Sequence, residues 1–350
     1  MSEVVAVAFS GGVDSALAAH LLREQGWEVW AVFLRLTEAG EGARRAAQLA
    51  RALGLPLVEV DLRQEFEAVV VREFVQGYAR GLTPNPCVAC NARIKFGVLW
   101  ERVQAWGARY LATGHYVRRR PAPEGGWGLW RGADRNKDQS YFLQRLPREL
   151  LPRVLFPLGE LTKEEVRRRF RELRLPAVEL PPESQEVCFI PPEGYREFLR
   201  RAGVAAPPGE IVDTHGRYRG RHQGLIAYTV GQRRGLGLAA REPLYVLKLC
   251  PETNRLVVGP KTELFAPGLR AVAPNWLTEP PAGDGEADAV IRYRHPGVRA
   301  RLRQEADGSL TVAFAQPQAA VAPGQAVAFY EGERLLGGAW IAEPLREGEI

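Results

Sequence analysis

The feature that most constrains this chain is a short polar turn set between two apolar patterns of different period. Ser10-Gly11-Gly12-Val13-Asp14-Ser15 directly follows the apolar run VVAVAF (4–9). It opens DSALAAHLLREQG (14–26), whose apolar residues recur at helical spacing before a terminal Gly. Adjacent glycines let the backbone approach an anion closely, and a helix N-terminus supplies unpaired N–H donors with a positive partial charge. Ser10 and Ser15 add hydroxyl donors, and Asp14 is suited to hold Mg²⁺ on a pyrophosphate. No Lys follows the glycines, so this is not the loop type that clamps a γ-phosphate through a lysine.

The alternation then repeats. EVWAVFLRL (28–36), LPLVEVDL (55–62) and RYLATGHYV (109–117) read as strands; residues 43–53 and QEFEAVVVREFVQGYAR (64–80) read as helices. This βαβα order predicts an α/β domain with a parallel, Rossmann-like sheet covered on both faces. GLTPNPCVACN (81–91) reads as a loop, because its Pro and Asn residues break regular structure. From about 138 to 200 the pattern is helical, with QSYFLQRL, a Thr162-to-Glu165 capping box before VRRRFRELR, and YREFLRRAG.

Past the Pro-Gly cluster at 207–209 the period becomes two. EIVDTHGRYRG, GLIAYTVG, EPLYVLKLCPETNRLVVG, ADAVIRYRH, VRARLRQEADGSLTVAFAQ and QAVAFYEGERLLGGAWI read as short strands joined by turns, the signature of small barrels or sandwiches. A break near PGLRAVAPNW (267–276) divides this half. Three domains are expected: a nucleotide-binding and catalytic domain at 1–205, a small β-rich central domain at 206–266, and a C-terminal β-barrel at 267–350.

The 46% hydrophobic and 25% charged content of the 350 residues excludes disordered, collagen-like and disulfide-scaffold classes. No apolar run is long enough for a membrane helix, and Met-Ser-Glu leads straight into the first strand without a basic leader region. A cytoplasmic location is expected. Lys plus Arg exceeds Asp plus Glu by 47 to 41, and five of those 47 are Lys, leaving 42 Arg. Arg clusters at 118–120, 219–222 and in RYRHPGVRARLR (292–303) suit a polyanion, whereas the Arg of 166–174 interleave with Glu as on a solvated helix.

Four cysteines do not make a disulfide framework in a cytoplasmic chain of this length. Cys87 and Cys90 form C-x-x-C, and Cys188 stands in SQEVCFI. Such a pair is a zinc half-site, a redox pair or a nucleophile with a neighbour. Zinc requires further ligands, for which His20, His115, His215, His222 and His295 are the candidates. Cys250, ending an apolar strand, reads as packing.

SGGVDS after the first strand resembles the ATP pyrophosphatase signature of the adenine nucleotide alpha hydrolase-like fold, whose members adenylate a substrate oxygen. TPNPCVACNxxIKF, ATGHY (112–116), KDQSYFL (137–143), SQEVCFI and GLIAYTVGQRRGLG (224–237), in that order, make nearly the whole chain similar to the bacterial tRNA-specific 2-thiouridylase family. The resemblance implies ATP-dependent thiolation of C2 of the wobble uridine in tRNAs such as those for Lys, Glu and Gln, with release of AMP and pyrophosphate. It implies Cys90 as nucleophile, Cys188 as persulfide carrier, and a Cys90–Cys188 disulfide left after transfer. ATP contacts fall on Ala8, Phe9, Ser10, Gly11, Gly12, Val13, Asp14, Ser15, Leu34 and Gly114, and the target base on Asn85, Pro86 and Cys87. tRNA contacts fall on His115, Lys137, Asp138, Gln139, Arg292, Tyr293 and Gln325. The implied cofactors and partners are ATP with Mg²⁺, tRNA, and a cysteine desulfurase or sulfur-relay protein as persulfide donor. The segment after FLRL is shorter than the family's usual acidic, Cys-containing stretch.

Three other readings stay open. Cys87, Cys90 and Cys188 as thiolates would hold an iron–sulfur cluster with one open iron for delivering sulfide. A synthetase adenylating a small molecule would keep the phosphate loop and leave the Arg-rich half unexplained. A non-enzymatic RNA-binding metal protein would leave SGGVDS without a role.

Overall fold

The computed structural model describes residues 3–38, 40–175, 187–281 and 283–350. Its first half runs β1 (Val4–Ala8), α1 (Val13–Glu24), β2 (Glu28–Arg35), α2 (Glu41–Ala52) and β3 (Leu57–Asp61), then two long helices, α3 (63–79) and α4 (86–105). Both long helices pass through a π-helical stretch, Glu67–Val71 and Cys90–Val98. β4 (Tyr110–Ala112), a hairpin of β5 (Val117–Pro121) and β6 (Trp127–Arg131), β7 (Val154–Leu155), α5 (Lys163–Glu172) and α6 (Tyr195–Arg201) follow.

β3-β2-β1-β4-β7 form one parallel sheet. Val5, Val7, Ala31 and Ala112 bury one face among the apolar residues of α1 and α2, while Ala6, Val32, Val60 and Leu111 pack toward α3 and α4 on the other. Burial on both faces explains why these strands read as continuous apolar runs. β1 lies between β2 and β4, so chain connections leave it in opposite directions. In open α/β sheets that reversal opens a crevice beyond the carboxyl ends of the strands.

The central sheet, β10-β11-β8-β9, uses β8 (Gly209–Asp213), β9 (Tyr218–His222), β10 (Tyr245–Cys250) and β11 (Arg255–Gly259). GLIAYTVG supplies no strand here. It begins with a positive-φ Gly224 and a single 3₁₀ turn, Leu225–Ala227, that tucks Leu225 and Ile226 inward.

The last six strands are β12 (Phe265–Trp276), β13 (Gly285–Val290), β14 (Val298–Gln304), β15 (Leu310–Ala319), β16 (Ala326–Glu331) and β17 (Arg334–Leu345). Pairing β12 with both β15 and β17 closes them into an antiparallel barrel. PGLRAVAPNW forms the barrel's first strand, its Pro and Gly accommodated by register irregularities. Unexpectedly from sequence, β5 and β6 extend this sheet: Trp130 pairs with Arg334 and Leu129 with Leu335. One apolar core joins the halves, running from Ile94, Phe96 and Leu99 of α4 through Leu129 and Leu143 to Val290, Tyr330 and Leu335. Among the described residues no helix is long and apolar enough to cross a membrane.

Candidate functional site

The SGGVDS loop turns the chain from β1 into α1 at the carboxyl edge of the sheet. Gly11 has φ +75°, and a Cβ there would lie 2.8 Å from the Ala46 nitrogen, so only Gly lets the loop fold back against α2. The loop is braced from within. Ser15 Oγ accepts the Ser10 N–H at 3.1 Å and donates to the Gly12 carbonyl at 3.1 Å. Gly12, at the N-cap of α1, offers no capping side chain, so this helix end has no side-chain cap. Across it, Gly114 follows β4, where a Cβ would lie 2.9 Å from the Asp14 backbone carbonyl carbon. This cradle fits a phosphate chain.

Asp14 is the loop's charged member and is already engaged. Lys163 Nζ donates to both carboxylate oxygens at 2.7 and 2.8 Å, and Tyr116 Oη donates to Oδ1 at 2.8 Å. Lys163 comes from the first turn of α5, fixed by the Thr162–Glu165 capping box that the sequence predicts. Neither Lys163 nor Tyr116 was singled out from sequence. Their signal was only a capping-box neighbour and the last letter of ATGHY. Leu34 lies near the carboxyl end of β2, paired with Val60.

The thiols lie beside this crevice. Only the first part of GLTPNPCVACN is loop, and from Pro86 it is helical: Asn85 caps α4 by accepting the Val88 N–H at 3.4 Å, and Pro86 takes the first helical position. Pro suits that position because its missing N–H would have no partner there and its φ is already helical. Cys87 and Cys90 consequently occupy the opening turns of a 20-residue helix (86–105). Cys87 is exposed, and Cys90 is buried at 7%.

Cys188 sits in a turn at 187–190 and is exposed. Phe189 anchors that turn, its ring 5.6 Å from Phe66, 5.2 Å from Phe74 and 5.4 Å from Phe198. Ser184, Gln185 and Glu186 of SQEVCFI lie outside the described residues.

The Cys188 thiol is close enough for its charge to act on both Cys87 and Cys90. Crowding by protein raises all three thiols above the usual cysteine range, and Cys90 is pushed up to about 12. One cation opposes this at every thiol, Lys95 of α4.

His115 completes this group. Its ring lies 6.2 Å from Phe96 and 6.4 Å from Phe156, and Nδ1 is 2.6 Å from Thr113 Oγ1. Burial, and then Lys95, hold it well below the usual histidine range, so it is neutral. Among the described residues no three His, Cys, Asp or Glu side chains are grouped to hold a metal ion. The zinc and iron–sulfur readings thus lack a gathered ligand set there, and His222 and His295 have hydrogen-bond partners of their own.

The barrel closes over the start of α4. Asn85 Nδ2 donates to Gln325 Oε1 at 3.4 Å, and Gln325 Nε2 donates to the Thr83 carbonyl at 3.0 Å. Tyr293 rests on Phe142 at 4.7 Å, while Arg292 and Arg294 are exposed on either side of it. RYRH is a turn and not the end of a strand; Arg294 adopts φ 64°, and His295 braces the bend by accepting the Gly297 N–H at 3.2 Å.

The Arg run of 292–303 is not one free basic face. Arg299 pairs with Glu286 at 2.7 Å and Arg303 with Glu305 at 3.0 Å. Asp138 is 7% exposed and accepts from Gly132 N, Ser140 N, Ser140 Oγ and Arg131, while Gln139 Oε1 accepts the Tyr116 N–H. These two side chains thus brace the segment that carries the half-buried Lys137.

Comparison with known proteins bears on the whole chain. Residues 3–192 match the family described as tRNA methyl transferase HUP domain, 196–260 the tRNA methyl transferase PRC-barrel domain, and 267–341 the aminomethyltransferase beta-barrel domain. The tRNA-specific 2-thiouridylase MnmA of Carboxydothermus hydrogenoformans is 44% identical, covering 97% of this chain and 98% of its own. Those of Geobacter metallireducens, at 43% with 98% of each chain, and Desulforudis audaxviator, at 44% with 98% and 99%, are similar throughout.

Proposed function

Since this chain belongs to the tRNA-specific 2-thiouridylase family, an enzyme family of sulfur transfer to tRNA, we propose that it uses ATP to activate C2 of the wobble uridine and a cysteine persulfide to thiolate it. The observation that carries this reading is the adjacency of two sites, an anion cradle at the sheet's switch point and a thiol group made of Cys87 and Cys90 at the head of α4 with Cys188 of the turn at 187–190. A methyl transfer to the same tRNA would leave both without work.

The roles follow from position. The N–H groups of residues 11–15, with Ser10, hold the phosphates, and Gly114 leaves room for them. Asp14 is the residue that would hold Mg²⁺ on the phosphates, where the metal would neutralise their charge, and Lys163 balances the Asp14 carboxylate. Asn85, Pro86 and Cys87 meet the target base at the mouth of the site. His115, Lys137 with its supporting Asp138 and Gln139, Arg292, Tyr293 and Gln325 meet the tRNA. Adenylation of the uracil O2 makes AMP the leaving group in place of oxide and releases pyrophosphate.

The sulfur enters as a Cys188 persulfide supplied by a desulfurase or relay protein. Cys90 thiolate attacks the Cys188 sulfur, the S–S bond to the outer sulfur breaks, and hydrosulfide departs with the electron pair. The sulfane sulfur is thereby reduced to sulfide while the two thiols are oxidised to a Cys90–Cys188 disulfide. Hydrosulfide adds to C2 and AMP leaves; an external thiol reductant resets the pair. The cluster alternative is not favoured by the side-chain placement, since among the described residues no three Cys, His, Asp or Glu are grouped to hold a metal ion. A tRNA-dependent assay of nucleotide products tests the reading, which expects AMP and pyrophosphate. ADP as the only nucleotide product would overturn it.

A further inference from the structure

We propose that Lys95 is the positioning cation of the thiol site, its ammonium holding negative charge on the sulfur of Cys87, Cys90 or Cys188 as each becomes ionised. The proposal rests on the sulfur-transfer reading for its purpose and on the fold for its geometry.

In an ordinary α-helix a residue five places on lies about 140° round the axis, so Lys95 would face away from Cys90. The stretch Cys90–Val98 is π-helical, with i to i+5 bonding that continues to the Leu99 N–H on the Ile94 carbonyl. That register brings the fifth residue back over the first, which puts Lys95 and Cys90 on one face. An inserted residue in a helix is a locally unfavourable arrangement that recurs at functional positions, and here it has a definite result.

Lys95 is also unlike the other cations of its helix. Arg93 pairs with Glu73, and Arg102 with Glu65. The Lys95 ammonium is half-buried and has no hydrogen-bond or ion-pair partner among the described residues. A half-buried ammonium without a carboxylate is unfavourable unless another anion meets it. The groups on which its charge acts are Cys87 from the first turn of α4, Cys90 from the next, Cys188 from the turn at 187–190, and His115 from beyond β4. Among the described residues no carboxylate acts on these thiols, and the charges that do are Lys95 and the other thiols. The anion that this cation meets is therefore sulfur. His115, held neutral beside it, adds no competing charge.

The test uses the full-length protein without ATP or tRNA. Iodoacetamide is added over a range of neutral to alkaline pH, and alkylation of each cysteine is read by peptide mass spectrometry. Cys250 is the internal control, since its charged neighbours are Lys248, Glu252 and Arg255. Lys95→Met is expected to move the alkylation midpoints of Cys90 and Cys188 upward, lowering their rates at neutral pH by roughly tenfold, as an opposite charge at this range does. Cys250 should not move, and Lys95→Arg should stay close to wild type. If Lys95→Met does not fold, Lys95→Gln takes its place.

Unchanged midpoints at both thiols overturn the proposal. So does an Arg variant as displaced as the Met variant, because shape and not charge would then be acting. Thiolation is not read in this experiment, so failure of the sulfur-transfer reading would show separately, as retained 2-thiouridine formation in Cys90→Ser or Cys188→Ser.

Discussion

Asn85 and Gln325 are separated by 240 residues in sequence, yet the amide of one donates to the amide of the other at 3.4 Å. Asn85 also caps the helix that carries Cys87 and Cys90. The barrel therefore contacts the helix that carries Cys87 and Cys90 at its N-cap.

Asn85→Ala should cost about 1 kcal/mol of stability through loss of the cap, read as a lowered denaturation midpoint. Gln325→Ala leaves the cap in place. Its midpoint should change less, and its defect should appear in tRNA-dependent turnover. Equal stability losses in the two variants would show that the barrel contact, and not the cap, is what Asn85 contributes.

Asp14→Ala should abolish formation of AMP and pyrophosphate while tRNA binding, measured by filter retention, stays near wild type. Gly114→Ala should impair ATP use for another reason, since its new methyl group would press on the Asp14 backbone. Nucleotide binding should weaken there without any change in charge. Wild-type ATP turnover in either variant would remove the cradle from the mechanism.

Because the thiols are raised by burial, Cys90 most of all, the free protein should alkylate at Cys90 more slowly than at Cys188 at neutral pH. Cys90→Ser and Cys188→Ser should both eliminate 2-thiouridine, and only Cys188→Ser should fail to take labelled persulfide from a desulfurase. Cys87→Asp should retain activity. Stoichiometric iron in anaerobically purified enzyme, with activity dependent on it, would replace the persulfide mechanism by the cluster.

tRNA affinity should fall steeply with salt, log K declining by about 0.7 per phosphate contact for each decade of concentration. The double variant Arg292→Ala with Arg294→Ala should flatten that slope. Arg299→Ala, which removes a cation already paired with Glu286, should change it little. A salt titration that ranks these variants the other way would move the tRNA surface from the turn to the outer face of β14.

His115 is neutral in the fold and well below its ordinary value, whereas an unfolded chain would bind a proton there below pH of about 6.5. The unfolded state thus holds more protons as pH falls through that value, and stability must fall with it. His295, also lowered by burial first, acts in the same direction. His115→Gln should reduce the loss of denaturation midpoint on going from neutral to mildly acidic pH. An unaltered dependence would show that His115 is solvated.

The parallel sheet and phosphate loop were legible because their signals are local: an apolar run, a polar turn, a helical period. The barrel was legible in kind, since period-two strands declare themselves, but the β5–β6 hairpin joining it was not. RRR at 118–120 resembles a basic patch, and only its pairing with β6, which in turn pairs with β17, shows it to be sheet. TPNPCVACN read as a loop because two prolines suggest breakage, and Pro86 is harmless only at the position that Asn85 makes the first of a helix. Lys95 was present in the sequence as one of five lysines and had no distinction there. Its proximity to the thiols depends on a π-helical register, which apolar periodicity does not encode.

The pairing of Leu129 with Leu335 also has a consequence for the order in which the molecule is made. The hairpin is translated early, and its open edge lacks a neighbour until the final strand has left the ribosome. A nucleotide domain completed on time still carries an unpaired strand edge, the kind of surface on which nascent chains aggregate or are held by chaperones. A message cut short before β17 yields a chain that keeps the whole thiol helix and phosphate loop but cannot cover that edge. The fold thus makes arrival of the C-terminal strand the condition for covering an edge that the N-terminal half presents.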